Sequence, residues 1–151
     1  MPKQLTGLPE DATHLVLSVG GNDLLGCEAD ILRNGAAPSP EVFVPPAAVI
    51  DGFEGRYRRV LEACLEKGLP LVVCTIYNGN FAGEPEFASV AQAAVAAFDE
   101  VILRLAREKG VRAIDLRQVC ARAEDYANPI EPSVIGGGKI ARAIRELIGP
   151  V

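Results

Sequence analysis

The chain has 151 residues, of which 49% are hydrophobic and 23% are charged, and its formal net charge is −5 at pH 7. This length predicts one domain with a proper core, and the interspersed charges argue against a disordered chain. The negative charge and the lack of a Lys/Arg cluster argue against a nucleic-acid partner. No apolar run is long enough to cross a membrane, and no charged-then-apolar signal opens the chain, so we expect no membrane span and a cytoplasmic location.

Strand-like and helix-like segments alternate along the chain. Residues 15–19 form a short apolar run closed by glycine, which is typical of a strand buried on both faces of a parallel sheet. Residues 34–46 are rich in Gly, Ala, Pro and Ser and predict a loop, the candidate for a mobile segment over a site. Further strands are predicted over residues 71–76 and 112–116, and helices over residues 51–67, 87–109 and 139–148. This alternation indicates right-handed βαβ units in an α/β domain.

The four cysteines are widely spaced, form no Cys-x-x-Cys pair and lie in apolar or helical surroundings: Cys27, Cys64, Cys74 and Cys120. This pattern predicts buried free thiols in a reducing compartment rather than disulfides or a zinc site. The single histidine, His14, opens a predicted strand and therefore lies at the end of the sheet away from a site built on strand carboxyl ends. We expect neither a metal nor a cofactor.

Gly20, Gly21, Asn22 and Asp23 follow the first predicted strand. Ligands of parallel sheets lie at the carboxyl ends of the strands, and glycine lets the backbone turn sharply and approach a substrate. The Asn22 amide can donate to a developing oxyanion without carrying charge itself. The alternative is turn chemistry in which Asp23 caps the next helix. These four residues alone do not decide between the two.

This block matches the Gly-x-Asn-Asp block of the SGNH (GDSL-type) hydrolases, and the surrounding segment LPEDATHLVLSVGGNDLL resembles that family well beyond these four residues. A second stretch resembles the family's last block, Asp-x-x-His-Pro-Ser/Asn followed by a Gly and an Ile-Ala. It reads Ile130-Glu131-Pro132-Ser133, then Gly136 and Ile140-Ala141. The resemblance covers nearly the whole chain from Leu5 onward.

The resemblance implies a three-layer α/β/α sandwich with a parallel sheet, the flavodoxin-like SGNH-hydrolase fold, as a single domain over residues 1–151. In the family, a first strand ends in Gly-Asp-Ser, whose Ser is the nucleophile, and a second strand brings an oxyanion-hole Gly. Neither block is found here, so we expect an N-terminally incomplete domain without its first two strands. An unpaired edge at residues 15–19 would then pair with a missing N-terminal segment or with another copy in a homo-oligomer.

The last block fits the family in two registers. In one, Asp125 and Asn128 have the Asp-x-x-His spacing, with Asn in the His position. In the better fit, Asn128 takes the Asp position and Glu131 the His position. Neither register supplies an imidazole, and a Glu is a far weaker base than a His. Glu131 is either a site residue that accepts from a substrate hydroxyl or a solvated turn residue, and Asp125 is favoured as a loop or cap carboxylate.

Two other patterns carry less. The run Gly136–Ala141 formally fits Gly-x-Gly-x-x-Ala, but it lacks the preceding strand and the later acid of a dinucleotide site, so the start of a helix explains it. Ser18 lies inside a predicted strand and Ser133 in a turn, and neither has a base at a recognisable spacing.

The resemblance therefore implies an esterase, lipase or deacylase acting on a small-molecule acyl ester, impaired or inactive in this chain because the Ser nucleophile and the His are absent. Candidate catalytic residues are Asn22, Asn128 and Glu131. The candidate substrate-binding residues are Gly20, Gly21, Asp23 and Tyr77. We expect Asn22, Tyr77 and Glu131 at one end of the sheet. The alternatives are a non-catalytic module that pairs through its open sheet edge and, more distantly, a flavodoxin-like ligand-binding domain.

Overall fold

Three parallel strands form the sheet in the computed structural model, which describes residues 2–26 and 45–149. They are β1 (Leu15–Ser18), β2 (Leu71–Cys74) and β3 (Arg112–Ile114), in the order β1-β2-β3. Leu15 pairs with Leu71, and Val72 pairs with Arg112. The predicted parallel α/β sheet is confirmed, and each strand ends before its predicted limit.

Helices precede the first strand, connect the strands and follow the last strand. They are α1 (Pro2–Thr6), a short helix over residues 21–26 (α2), α3 (Ala47–Leu65), α4 (Pro85–Glu108), α5 (Leu116–Val119) and α6 (Val134–Ile148), with a 3-10 turn at Ala123–Asp125. The three predicted helices correspond to α3, α4 and α6. Within the described ranges no helix is both long and apolar enough to cross a bilayer. Most of the predicted loop at residues 34–46 lies outside the described residues, as does Cys27.

The main core lies between the sheet and the pair α3–α4. Alternate strand residues face it, because successive side chains of a strand point to opposite faces. Phe53 and Phe98 meet at its centre with ring centroids 4.3 Å apart. The largest fully buried aliphatic side chains here are Leu61, Val73, Ile102 and Leu105.

Helix α6 covers the other face of the sheet, but only over β2 and β3. Val72, Cys74 and Ile114 pack beneath it, and no β1 residue belongs to this cluster. All four β2 residues are therefore buried, while Val16 of β1 is 41% exposed. The expectation that the first strand is buried on both faces is wrong, because no described helix covers its Val16 side.

The start of α6 is fixed by its cap. The Ser133 hydroxyl accepts hydrogen bonds from the amides of Ile135 and Gly136, at 3.1 and 3.2 Å. This capping satisfies two donors of the first helical turn. The sequence interpretation of this glycine-rich run as a helix start is thus confirmed. Three cysteines are buried free thiols, as predicted: Cys64, Cys74 and Cys120.

Candidate active site

A cavity of about 540 Å³ opens at the carboxyl ends of β1 and β2. One wall comes from residues 18–25, which leave β1 and enter α2, and another from residues 75–79, which leave β2. Ala91 and Val95 of α4 reach it from the core, and Ile130 and Glu131 close it from the C-terminal part. The cavity thus lies where parallel sheets usually hold their ligands.

The structure brings most of the sequence-predicted site residues together. Six of them line this cavity: Gly20, Gly21, Asn22, Asp23, Tyr77 and Glu131. The seventh, Asn128, does not line it but contacts Glu131, with its Nδ2 donating to Oε2 at 2.7 Å. The expected grouping of Asn22, Tyr77 and Glu131 at one end of the sheet is therefore what the structure shows.

Gly20 forms the turn that places Asn22. Its φ is 123°, a conformation that side chains disfavour, and a Cβ there would lie 3.2 Å from Cδ1 of Ile76. The Gly20 carbonyl then accepts from the amide of Leu24 at 3.0 Å, which begins α2. Asn22 is exposed on this first turn, and its side chain makes no hydrogen bond within the described residues. Its amide is thus available to a ligand.

The turn interpretation, in which Asp23 caps the next helix, is wrong. Asp23 lies within α2, and its Oδ1 accepts from Nε of Arg56 on α3 at 2.9 Å. Both side chains are partly exposed, so this ion pair contributes little to stability. The Arg56 guanidinium offsets the charge of Asp23 at the cavity.

A buried carboxylate fixes the other wall. Asp99 of α4 is fully buried, and its Oδ1 accepts from the Ile76 amide at 2.8 Å, just beyond β2. Its Oδ2 lies 3.2 Å from Nε of Arg117, which also pairs with Asp115 at 2.7 Å. Burial raises the pKa of Asp99 to about 7, although the Ile76 amide and the Arg117 guanidinium each favour the ionised form. The Arg117 hydrogen bonds lower the pKa of Asp115.

Thr75 connects this wall to α5. Its hydroxyl accepts from the Leu116 amide at 2.8 Å, and Oγ1 also lies 3.2 Å from Oδ1 of Asp115. The Thr75 amide in turn donates to the carbonyl of Ile114 at 3.0 Å. The backbone that enters the cavity after β2 is therefore held from both α4 and α5. Sequence reasoning missed Asp99, although an Asp four residues after Val95 on an apolar helical stripe is a signal.

The turn at residues 128–131 carries Glu131 to the cavity. The Asn128 Oδ1 accepts from the amides of Ile130 and Glu131, at 3.0 and 2.9 Å. The Tyr77 hydroxyl donates to the Ile130 carbonyl at 2.9 Å and so ties the turn to the segment after β2. Burial raises the pKa of Tyr77, so its hydroxyl remains a donor at neutral pH. The exposed Glu131 carboxylate keeps Oε1 for a ligand.

Asp125 lies away from the cavity and has a structural role. It is fully buried, its Oδ2 accepts from the Arg122 amide at 3.0 Å, and Nζ of Lys139 lies 2.6 Å from its Oδ1. The Lys139 contact holds the pKa of this carboxyl below its usual range. Asp125 thus behaves as the predicted cap carboxylate. Of the two registers considered for the last block, only the one that uses Glu131 places a residue in the cavity lining.

His14 lies away from the cavity, as expected, whereas Ser18 does not match the expectation. His14 precedes β1, with Nδ1 3.0 Å from the Thr13 hydroxyl, and does not line the cavity. Ser18 does line it, because β1 ends at this residue and exposes its side chain. Sequence reasoning had set Ser18 aside as a residue inside a strand. It makes no hydrogen bond to a His, Asp or Glu within residues 2–26 and 45–149.

Known proteins resemble this chain in fold and in family. No curated protein matches the chain. An acetyl xylan esterase, AlAXEase, is 18% identical with a TM-score of 0.61, over 88% of this chain and 67% of its own. Phospholipase A1 from Streptomyces albidoflavus NA297 is 16% identical with a TM-score of 0.65, over 95% of this chain and 72% of its own. These two show the fold. Residues 1–133 match the model of the GDSL-like lipase/acylhydrolase family. The chain belongs to that family.

Proposed function

We propose that the cavity binds an acyl ester and that the Asn22 amide donates to the acyl oxygen as negative charge develops on it. The observation that carries this proposal is the exposed Asn22 side chain, which lines the cavity of an acylhydrolase-family chain and has no hydrogen-bond partner among the described residues. A neutral donor suits this role, since it stabilises the oxyanion without binding a free anion strongly. Gly20 and Gly21 let the backbone come close to the same atom.

The remaining lining residues have supporting roles in this proposal. Buried apolar side chains at the inner end of the cavity, among them Ile76, Ala91 and Val95, hold the acyl group. Glu131 accepts a hydrogen bond from a substrate hydroxyl, with Asn128 orienting its carboxylate. Asp23 and Tyr77 shape the wall. The two structural relatives named above act on acylated xylan and on phospholipid, which is consistent with an ester as the bond attacked.

We further propose that these residues alone hydrolyse esters poorly. The cavity lining contains no His, and Ser18 has no base in hydrogen-bonding contact among the described residues. Without a nucleophile and base, a serine hydrolase accelerates the reaction over water by only about 10³–10⁴-fold. Even this residual rate requires a well-formed oxyanion hole. We therefore expect negligible turnover of p-nitrophenyl acetate or butyrate by the purified chain.

A fusion tests both parts of the proposal. A Gly-Asp-Ser-containing N-terminal segment from a relative is fused to the chain, and hydrolysis of p-nitrophenyl butyrate is expected to appear. In that fusion Asn22→Ala should lower kcat by roughly 10²–10³ through loss of one oxyanion donor. Asn80→Ala, a matched change outside the cavity lining, should leave it unchanged. Robust hydrolysis by the unfused chain, abolished by Glu131→Gln, would instead make Glu131 a working base.

One observation favours a second candidate, a non-catalytic module that pairs through its sheet. Within the described residues, β1 is bonded to β2 on one side and to no strand on the other. Its unbonded backbone groups can accept another strand, and the exposed Val16 adds apolar surface beside them. An assembly role would not require an ester in the cavity.

A further inference from the structure

The charged side chains that line the cavity are negative in the part of the chain that the structure describes. Among the described residues that line the cavity, Asp23 and Glu131 are the carboxylates, and none is Lys, Arg or His. Asp23 is paired with Arg56 at 2.9 Å. Glu131 has only the neutral Asn128 as its side-chain partner within the described ranges, at 2.7 Å. The cavity mouth therefore carries an uncompensated negative charge.

The inner end of the cavity is mainly apolar, and charged and amide side chains lie at its mouth. Leu24, Ile76, Ala91 and Val95 are all buried, with 2–8% of their surface exposed, and form the inner end. Asn22 and Glu131 are exposed and Asn78 is half-buried, so amide and carboxylate groups lie at the mouth, beside the exposed Leu25 and Ile130. A ligand that fills this cavity has an apolar part inside and a polar head at the mouth.

The chemistry of the mouth distinguishes between polar heads. Amide groups donate to and accept from hydroxyls, and a carboxylate accepts from them. An anionic head would be placed near Glu131, and no cation among the described lining residues would offset the repulsion. A neutral head that carries hydroxyl groups instead satisfies Oε1 of Glu131 and the Asn22 and Asn78 amides.

We propose that this site selects acyl compounds with an uncharged, hydroxyl-bearing head group and rejects those with a phosphate head. The selection rests on the proposed acyl-ester site, to which it adds the class of the alcohol portion of the substrate. Glu131 is the residue that determines it. Its carboxylate both accepts from a hydroxyl and repels a phosphate.

Binding measured on the whole chain tests the selection without turnover. The ¹⁵N-labelled protein is titrated with hexyl β-D-glucopyranoside and with hexyl phosphate, which share the same alkyl tail, and amide shifts are followed at low ionic strength. We expect shifts at Asn22, Ile76 and Glu131, and a Kd for the glucoside at least about tenfold lower than for the phosphate. Raising the salt concentration should narrow this ratio.

Substitution of one carboxylate isolates the cause. Glu131→Gln keeps an oxygen acceptor for Asn128 and removes the charge, so hexyl phosphate should bind more tightly and the preference should fall below about threefold. Glu146→Gln, at an exposed carboxylate of α6 outside the cavity, should leave both affinities unchanged. A ratio that Glu131→Gln leaves intact would overturn the role given to Glu131.

The outcomes separate the two proposals. Equal affinity for both ligands, with shifts at the cavity amides, would overturn the head-group selection and leave the acyl-ester site standing. Shifts with neither ligand would overturn the cavity as an acyl site and the selection with it. The ester assay on the fusion remains an independent measure of the chemistry.

Discussion

Asp99 fixes the backbone at the point where β2 gives way to the cavity. Its pKa is raised from 3.8 to about 7, chiefly by burial, so the folded chain binds this proton more tightly than the unfolded chain does. The stability that this group contributes is therefore fully present below pH 3.8 and is lost as pH rises toward about 7. Above that pH the ionised carboxylate stays buried, with part of one guanidinium as its counter-charge.

Asp99→Asn makes this dependence measurable. The amide oxygen can still accept from Ile76, and the side chain does not titrate. We expect the Tm of the variant to rise relative to that of the native chain between about pH 5 and about pH 8, because only the native chain must ionise the buried group. A Tm difference that does not change with pH would contradict this.

Asp115→Asn is the matched control for that measurement. Its pKa is lowered by Arg117, so its contribution to stability is present above its ordinary pKa and is lost only as pH falls through the lowered value. The Tm difference between this variant and the native chain should therefore change much less over the same pH interval, because the Asp115 charge is the smallest contribution to the raised pKa of Asp99. A change comparable to that of Asp99→Asn would point to Arg117 rather than to the buried carboxylate.

The residues of the site differ in how far sequence could identify them. Asn22 and Glu131 were found because each lies in a block that resembles a family motif. Asp99 was missed because its role depends on Ile76 and Arg117, which lie on other elements and form no motif with it. Ser18 was set aside because the strand was predicted to continue to residue 19, whereas β1 ends at Ser18.

At the scale of elements, Gly136 decides how α6 meets the turn before it. A Cβ on Gly136 would lie 2.1 Å from the carbonyl oxygen of Asp125, which no real contact permits. That same oxygen accepts from the Ser133 amide at 2.8 Å and cannot move without breaking the cap region. The close approach of α6 to residues 123–125 therefore requires glycine.

A pair of neighbouring substitutions tests this requirement. Gly136→Ala should destabilise the chain by about 1–3 kcal/mol through overpacking, measured by urea unfolding. Gly137→Ala, where a Cβ meets nothing within 4 Å, should stabilise it by about 0.5–1 kcal/mol because alanine favours the helix. Equal effects of the two changes would mean that α6 can shift freely over Asp125.

The sheet shows why element types were predicted better than their limits and burial. The alternation of apolar runs and helical stripes identifies all three strands and the helices α3, α4 and α6, because it is a local property. Whether a strand is covered on both faces depends on where α6 packs, which is not local: β2 is covered and β1 is not. Strand β3 ends at Ile114 because Asp115 caps α5 with its side chain.

At the scale of the whole molecule, the free edge of β1 predicts self-association. The edge presents unbonded backbone groups within the described residues, and Val16 adjoins it. We expect sedimentation velocity of the purified chain to show a dimer or larger species that increases with protein concentration. Val16→Lys should weaken this association, and the same change at Val134, which is 94% exposed on α6, should not. A monomer at every concentration would contradict the prediction.

The two strand pairs of the sheet are joined by different lengths of chain. Val72 pairs with Arg112 across a crossover that contains α4, whereas Leu15 pairs with Leu71 across a longer separation. Because closing a longer loop costs slightly more entropy, we expect β2, α4 and β3 to come together before β1 joins them. Since the Asn22 turn follows β1, we expect the cavity to be completed in the last step of folding.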